Sequence, residues 1–328
     1  MKKVIIVMFS LVLMFVGCES NNQNEGSIFS ENESIIQDDN IVLVNTDKIN
    51  IALVMKTLTN PFFIEMEKGA REAAATAGVS LRVETGAQET SIEQQITIIE
   101  DLIIDKVDAI VIAPGDSKEI IPVLKKAQDA GIVIVNIDNK LDTEVSKVLG
   151  LIDIPFISID NKKAAYNAVK YLSDQIIVPT EVLVIEGIVG TNNSEMRKNG
   201  AIEAFSENPN IKIVSVVSAN WKIDEAQTVT ENEFLKNPDI GAVFAANDMM
   251  AIGVIQYLEN STYDNVLVGG FDAIPEATQM VDEGLLEVTV DQQPYLQGYK
   301  GIEYALEMLN GEKVPMETLL DSILINKK

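Results

Sequence analysis

From Lys48 onward the chain alternates short apolar runs with segments of helical periodicity. Ile49 to Met55, Leu81 to Glu84, Ala109 to Ala113 and Val133 to Ile137 are read as buried parallel strands, because their apolar residues run on rather than alternate. The spacing predicts helices between them. Phe62 to Ala77 stops at Gly78; Ser91 to Lys106 opens on a Ser-x-x-Gln capping box of Ser91 and Gln94; Lys118 to Ala130 follows Asp116, has Glu119 at the box position and stops at Gly131. After an irregular stretch, Leu141 to Ile159, containing Pro155 and read as a first passage between lobes, the alternation resumes. Helices are predicted over Asn161 to Gln175, Asn193 to Ser206, Asp224 to Lys236, Asp248 to Leu258, Pro275 to Glu283 and Tyr295 to Leu309. The strands are Val182 to Ile185, Ile211 to Val217, Ala242 to Ala245, Val266 to Gly270 and Leu286 to Val290. Two similar halves of right-handed βα units give an α/β fold of two doubly wound parallel-sheet lobes, with the natural ligand site in the cleft between them.

The junction Thr-Asn-Pro-Phe-Phe, Thr59 to Phe63, joins the first run to the first helix. Asn60 is a helix N-cap residue and Pro61 fits the first turn, which places Phe62 and Phe63 where a strand ends and a helix begins. Ligands of open α/β sheets bind at such ends, although two core aromatics at a helix start are the plainer reading. Other strand ends carry Asp138 with Asn139, Asn247 with Asp248, Asp272 and Gln292. Trp221, the only tryptophan, follows a strand, and Arg197, one of three arginines, lies on the first turns of a helix. Carboxylates, amides and an arginine fork suit hydroxyl groups, and aromatic faces suit the C–H faces of a sugar ring. Each also has a structural alternative. Asp248 reads first as a helix N-cap, Asn247 and Asp272 as cap or turn residues, Arg197 as a surface ion pair with Glu195 or Glu203, and Trp221 as packing between lobes.

Composition narrows the function. The 328 residues carry 25 basic and 50 acidic side chains and no histidine. Lys2 and Lys3 followed by the apolar run Val4 to Val16 match a secretory signal too short to span a bilayer. Phe15-Val16-Gly17-Cys18 resembles a bacterial lipobox, which implies cleavage before Cys18 and a lipid on its thiol. Residues 18–47 hold seven acidic side chains and no Lys or Arg, the composition of a solvated tether, with an apolar patch, Ile41 to Val44, that could dock on the folded body. Removing residues 1–17 takes two lysines, leaving 23 minus 50, a charge of -27, which argues against nucleic acid as a partner. With one cysteine and no histidine, neither a metal site nor a cofactor is expected, and an enzyme would have to work with carboxylates, Lys or Tyr.

Asn-Pro-Phe-Phe, Ile137-Asp138-Asn139, Ala246-Asn247-Asp248-Met249 and Gly270-Phe271-Asp272, in that order along one chain, resemble the ribose- and galactose-type periplasmic solute-binding proteins of ABC sugar importers. The resemblance covers nearly everything from Lys48 on. It implies a type I periplasmic binding protein fold with residues 48–159 plus 293–321 in one lobe, 160–292 plus 322–328 in the other, and a hinge of three segments. It implies a ligand cleft lined by Asn60, Phe62, Phe63, Asp138, Arg197, Trp221, Asn247, Asp272 and Gln292. Two positions depart from the pattern. Asn139 stands where the ribose-type members have an Arg, which puts ribose itself in doubt, and Lys56 stands where a small polar residue is usual. Lys56 is expected either to enter the cleft, neutralising Asp138 or Asp272 or receiving an acidic sugar, or to face solvent.

The resulting expectation is a monomeric, extracytoplasmic, lipid-anchored protein that captures a monosaccharide or related polyol and delivers it to an ABC permease. Presentation of the sugar to a chemoreceptor or sensor kinase would use the same cleft. A carboxylate glycosidase built on Asp138 and Asp272 is the remote alternative from another class.

Overall fold

The computed structural model describes residues 48–327. The signal, Cys18 and the tether at 18–47 lie outside them. The first half runs β1 (Asn50–Met55), α1 (Pro61–Ala77), β2 (Ser80–Thr85), α2 (Ile92–Asp105), β3 (Ala109–Ile112), α3 (Ile121–Asp129), β4 (Val133–Ile137), α4 (Thr143–Leu149) and β5 (Phe156–Ile159). The second runs α5 (Asn161–Ser173), β6 (Thr180–Glu186), α6 (Asn192–Ser206), β7 (Ile211–Ser218), α7 (Ile223–Lys236), β8 (Ile240–Ala245), α8 (Asp248–Glu259), β9 (Leu267–Gly269), α9 (Pro275–Glu283) and β10 (Val288–Asp291). Then α10 (Pro294–Leu309) and β11 (Glu317–Leu320) return to the first half, and β12 (Ile323–Asn326) to the second.

The two sheets have the orders β11-β5-β4-β3-β1-β2 and β12-β10-β9-β8-β6-β7, parallel except for β12, which runs antiparallel to β10. In each, the chain reverses its direction of strand addition between the first strand and the third, β1 and β3 or β6 and β8, and this switch point is where a ligand crevice opens. Helices cover both faces, which explains the unbroken apolar strands. In β1, Ala52 and Val54 pack toward α2 and α3, while Ile51, Leu53 and Met55 pack toward α1 and α10. The contact between α1 and α10 needs glycine: a Cβ on Gly69 would come within 1.9 Å of the Tyr295 carbonyl oxygen, and one on Gly298 within 2.0 Å of that of Met66.

Several local expectations are corrected. Residues 141–159 are not a passage between lobes. They form α4 and β5, the last βα unit of the first sheet, and the chain leaves that sheet only after Ile159. Leu81 to Glu84 lies in β2, an edge strand whose side chains are half-buried apart from the exposed Arg82, not a buried one. Ser91 and Gln94 form no capping box; the Ser91 hydroxyl accepts from Gln88 N and the Gln94 side chain from Ala87 N, so both brace the preceding loop. The third helix starts at Ile121 rather than Lys118, because Asp116 takes the N–H groups of Lys118 and Glu119 into a turn and Pro122 sits in the first helical turn. β11 and β12, absent from the sequence pattern, are short edge strands with half-exposed side chains.

Candidate functional site

The carboxyl ends of the two sheets face each other across a small, largely filled cavity whose lining comes from both halves of the chain.

The first sheet supplies one wall. Asn60 caps α1 through its side-chain oxygen, which accepts from Phe62 N at 3.0 Å, and its amide donates to Glu89 Oε1 at 3.0 Å. Phe62 and Phe63 meet edge to face, centroids 5.1 Å apart, and both line the cavity. Asp138 has φ 64°, an unusual left-handed conformation held by Asp138 N donating to Ile157 O and the Ser158 hydroxyl donating to Asp138 O. Lys56 is buried rather than solvent-facing. Its Nζ lies 2.8 Å from Asp138 Oδ2, 3.8 Å from Glu89 Oε2 and 5.5 Å from the centre of the Phe63 ring. The contact with Asp138 is an ion pair without hydrogen-bond alignment, which leaves Oδ2 as a buried acceptor open to a hydroxyl donor.

The second sheet supplies the other wall, centred on Arg197. Its Nε donates to Asn161 Oδ1 at 2.8 Å, Nη1 to Ala246 O at 2.9 Å and Asp272 Oδ1 at 3.4 Å, and Nη2 to Gln292 Oε1 at 2.8 Å. Four of the five guanidinium hydrogens are thereby used, and one on Nη2 is left for the cavity. The guanidinium lies 4.0 Å over the Phe271 ring and 5.5 Å over Trp221. No surface ion pair forms: Glu195 pairs with Lys198 and Glu203 with Lys162. Gln292 also donates to Asp272 Oδ1 at 2.5 Å. Trp221, at φ 66°, lays its indole against Gly187, where a Cβ would come within 2.0 Å of the ring.

Asn247, not Asp248, caps α8, accepting from Met250 N at 2.9 Å and keeping its amide nitrogen for the cavity. Asp248 sits behind the site. It accepts from the Thr289 hydroxyl at 2.7 Å and from Ile274 N at 3.0 Å, and Thr289 in turn accepts from Ala273 N at 3.0 Å. These bonds hold the turn that presents Asp272 at φ 128° and Ala273 at φ 51°. Asn139 does not line the cavity, since its amide is consumed by Pro114 O, Ser117 and Asn193. Two lining residues were missed in the sequence, Glu89 and Asn193. Glu89 follows β2, a strand end next to β1, and Asn193 lies four residues before Arg197 on the same helix face, so position along the elements is the signal for both.

Burial dominates the electrostatics. It pushes the Glu89 carboxyl above the glutamate range against the pull of Lys56, pushes Asp272 well up against the pull of Arg197, and lowers Arg197. Burial likewise moves Asp248 from 3.8 to about 6, against its bonds from Thr289 and the backbone. A carboxyl raised in this way holds its proton more tightly when folded, so its contribution to stability is present below about pH 4 and is lost as the pH rises through about 6. Urea denaturation of wild type and Asp248→Asn from pH 4 to 7 should show the wild type losing up to about 3 kcal/mol relative to the variant, with no further change above pH 7.

Residues 51–313 match the model of a family described as periplasmic binding protein domain. A D-ribose/D-allose-binding protein of Pseudomonas aeruginosa is 39% identical over 271 residues, 81% of this chain and 84% of its own. A D-allose-binding periplasmic protein of Escherichia coli is 35% identical, over 84% of this chain and 91% of its own. The crystal structure of an ABC transporter periplasmic solute-binding protein from Actinobacillus succinogenes with bound D-allose superimposes with a TM-score of 0.80 at 40% identity, covering 85% of this chain and 98% of that one.

Proposed function

The chain belongs to the periplasmic binding protein domain family, among the sugar-binding solute receptors of ABC importers, and on that premise we propose that it captures a neutral monosaccharide such as D-allose and passes it to an ABC permease. The observation that carries this reading is the charge balance of the cavity. Two cations, Lys56 and Arg197, face three carboxyls, Glu89, Asp138 and Asp272, and both cations are already engaged by carboxyl partners. A uronate would bring a fourth carboxylate and find no uncommitted counter-charge. A neutral ring finds what it needs: acceptors on Asp138 and Glu89, donors on Arg197 and Asn247, and the aromatic faces of Phe62, Phe63 and Trp221.

In this reading residues 48–159 plus 293–321 close as one body on 160–292 plus 322–327, and the ligand favours the closed form. The protein acts as a monomer, lipid-anchored through Cys18 outside the cytoplasm. Its carboxyls serve binding, not hydrolysis: Asp138 is paired with Lys56 and Asp272 with Arg197. Calorimetry against D-allose, D-ribose, other pentoses and hexoses, polyols and uronates tests the reading. One neutral sugar should bind at micromolar Kd or better, about -8 kcal/mol, and be recovered unchanged. Tighter binding of a uronate, or turnover of the ligand, overturns it.

A further inference from the structure

The start of α6 is capped by the opposite lobe. Its own N-cap residue, Thr191, provides no side-chain cap; the Thr191 hydroxyl donates backward to Ile188 O at 2.8 Å. The first helical N–H, on Asn192, donates instead to the Ser117 hydroxyl at 3.0 Å, and the second, on Asn193, to Asn139 Oδ1 at 3.2 Å. The third, on Ser194, is taken by the side chain of Asn193 at 2.9 Å. Ser117 follows β3 and Asn139 follows β4, adjacent strands of the first sheet, whereas α6 belongs to the second half. The two caps are joined, since the Ser117 hydroxyl donates to Asn139 Oδ1 at 3.2 Å, and Asn139 is fixed by donating to Pro114 O at 3.1 Å. All three residues are buried: Ser117 is 3% exposed, Asn139 0% and Asn193 2%. Of the groups in these bonds only those of Asn193 belong to a residue that lines the cavity; Ser117 and Asn139 do not line it.

We propose that Ser117 and Asn139 form a latch between the lobes that caps α6 only when the cleft is shut, and so hold Arg197, one turn further along the same helix, in its place at the cavity. Opening the cleft pulls both acceptors away and hands the first two N–H groups of α6 to water. The latch therefore favours closure before any ligand arrives, and it slows release once the ligand is in. Asn139, the position that departs from the ribose-type pattern, acts on binding through α6 rather than by touching the ligand. The kinetic half of this inference rests on the sugar-binding reading; the conformational half does not.

The test uses the full chain with Cys18→Ser and spin labels at Gln88→Cys and Asp224→Cys, two exposed positions on opposite rims of the groove beside the cavity. Distances are measured without ligand for this protein and for added Ser117→Ala or Asn139→Ala, and release of D-allose is followed by stopped flow. The latch predicts a longer, broader ligand-free distance in both variants. It also predicts release about tenfold faster, the scale of a lost helix cap, with association changed less than about twofold. Ser117→Thr, which restores a hydroxyl, should return both to the starting values. Unaltered distances, or equal release from Ser117→Thr and Ser117→Ala, overturn the proposal. If D-allose and the other sugars fail to bind the starting protein, the functional reading fails and the distances alone decide the latch.

Discussion

Arg197→Ala is expected to abolish tight sugar binding. The guanidinium is buried and ties together Asn161, the Ala246 carbonyl, Asp272 and Gln292, so removing it unhooks the whole second wall of the cavity. Breaking a buried pair by deleting one partner costs about 3–5 kcal/mol, which corresponds to a Kd weakened by roughly two to three and a half orders of magnitude. Lysine does not rescue it. An ammonium cannot span Asn161 on one side and Gln292 on the other, and it loses the flat stacking on Phe271 at 4.0 Å. Calorimetry with D-allose gives the affinity, and circular dichroism shows whether the lobes remain folded. Arg197→Lys retaining affinity within tenfold would mean that charge, not the fork, is what this position supplies.

Lys56→Met costs stability as well as binding. The methionine keeps most of the side-chain volume against Phe63 but leaves Asp138 and Glu89, 2% and 11% exposed as side chains, facing each other without a cation. At pH 7 the loss is expected at about 3 kcal/mol by urea denaturation. Part of it returns on acidification, because Glu89, already raised by burial and losing the opposing pull of Lys56, takes up a proton that removes one of the two charges. Adding Glu89→Gln to Lys56→Met should recover stability at pH 7 and flatten that pH dependence. Recovery from the second substitution would identify the Lys56 role as neutralisation; a Lys56→Met protein that lost only uronate affinity would identify it as a receptor for acidic sugars.

Where the chain's own pattern decides the structure, the sequence was legible. The apolar strands that face helices on both sides, the Asn60 cap, and the Gly78 that ends α1 at φ 71° all follow from local chemistry. The same is true of the strand ends that deliver Asp138, Asn247, Asp272 and Gln292 to one cavity. What was not legible depends on partners distant in sequence. β11 and β12 are edge strands whose half-exposed residues carry no strong period, and only their neighbours β5 and β10 make them strands. The exchange of roles between Asn247 and Asp248 turns on Thr289 and Ile274, which lie far along the chain. Asn139 sits beside Asp138 in sequence, yet the turn after β4 sends one to the cavity and the other to α6.

The return of α10 and β11 to the first sheet also sets the order in which the molecule can be assembled. Ile302, Tyr304 and Ala305 of α10 belong to the same core as Ile51, Leu53 and Met55 of β1, and β11 is the outer partner of β5. A chain emerging residue by residue holds all of β1 to β5 long before it holds these pieces, and it meets the complete set of β6 to β10 first. The usual sequence, in which the earlier domain folds before the later one is made, is therefore blocked here. The first lobe waits with the β3-to-β5 part of one sheet face uncovered until α10 has appeared, and with the edge of β5 open until residue 320, so the two halves reach their native packing nearly together.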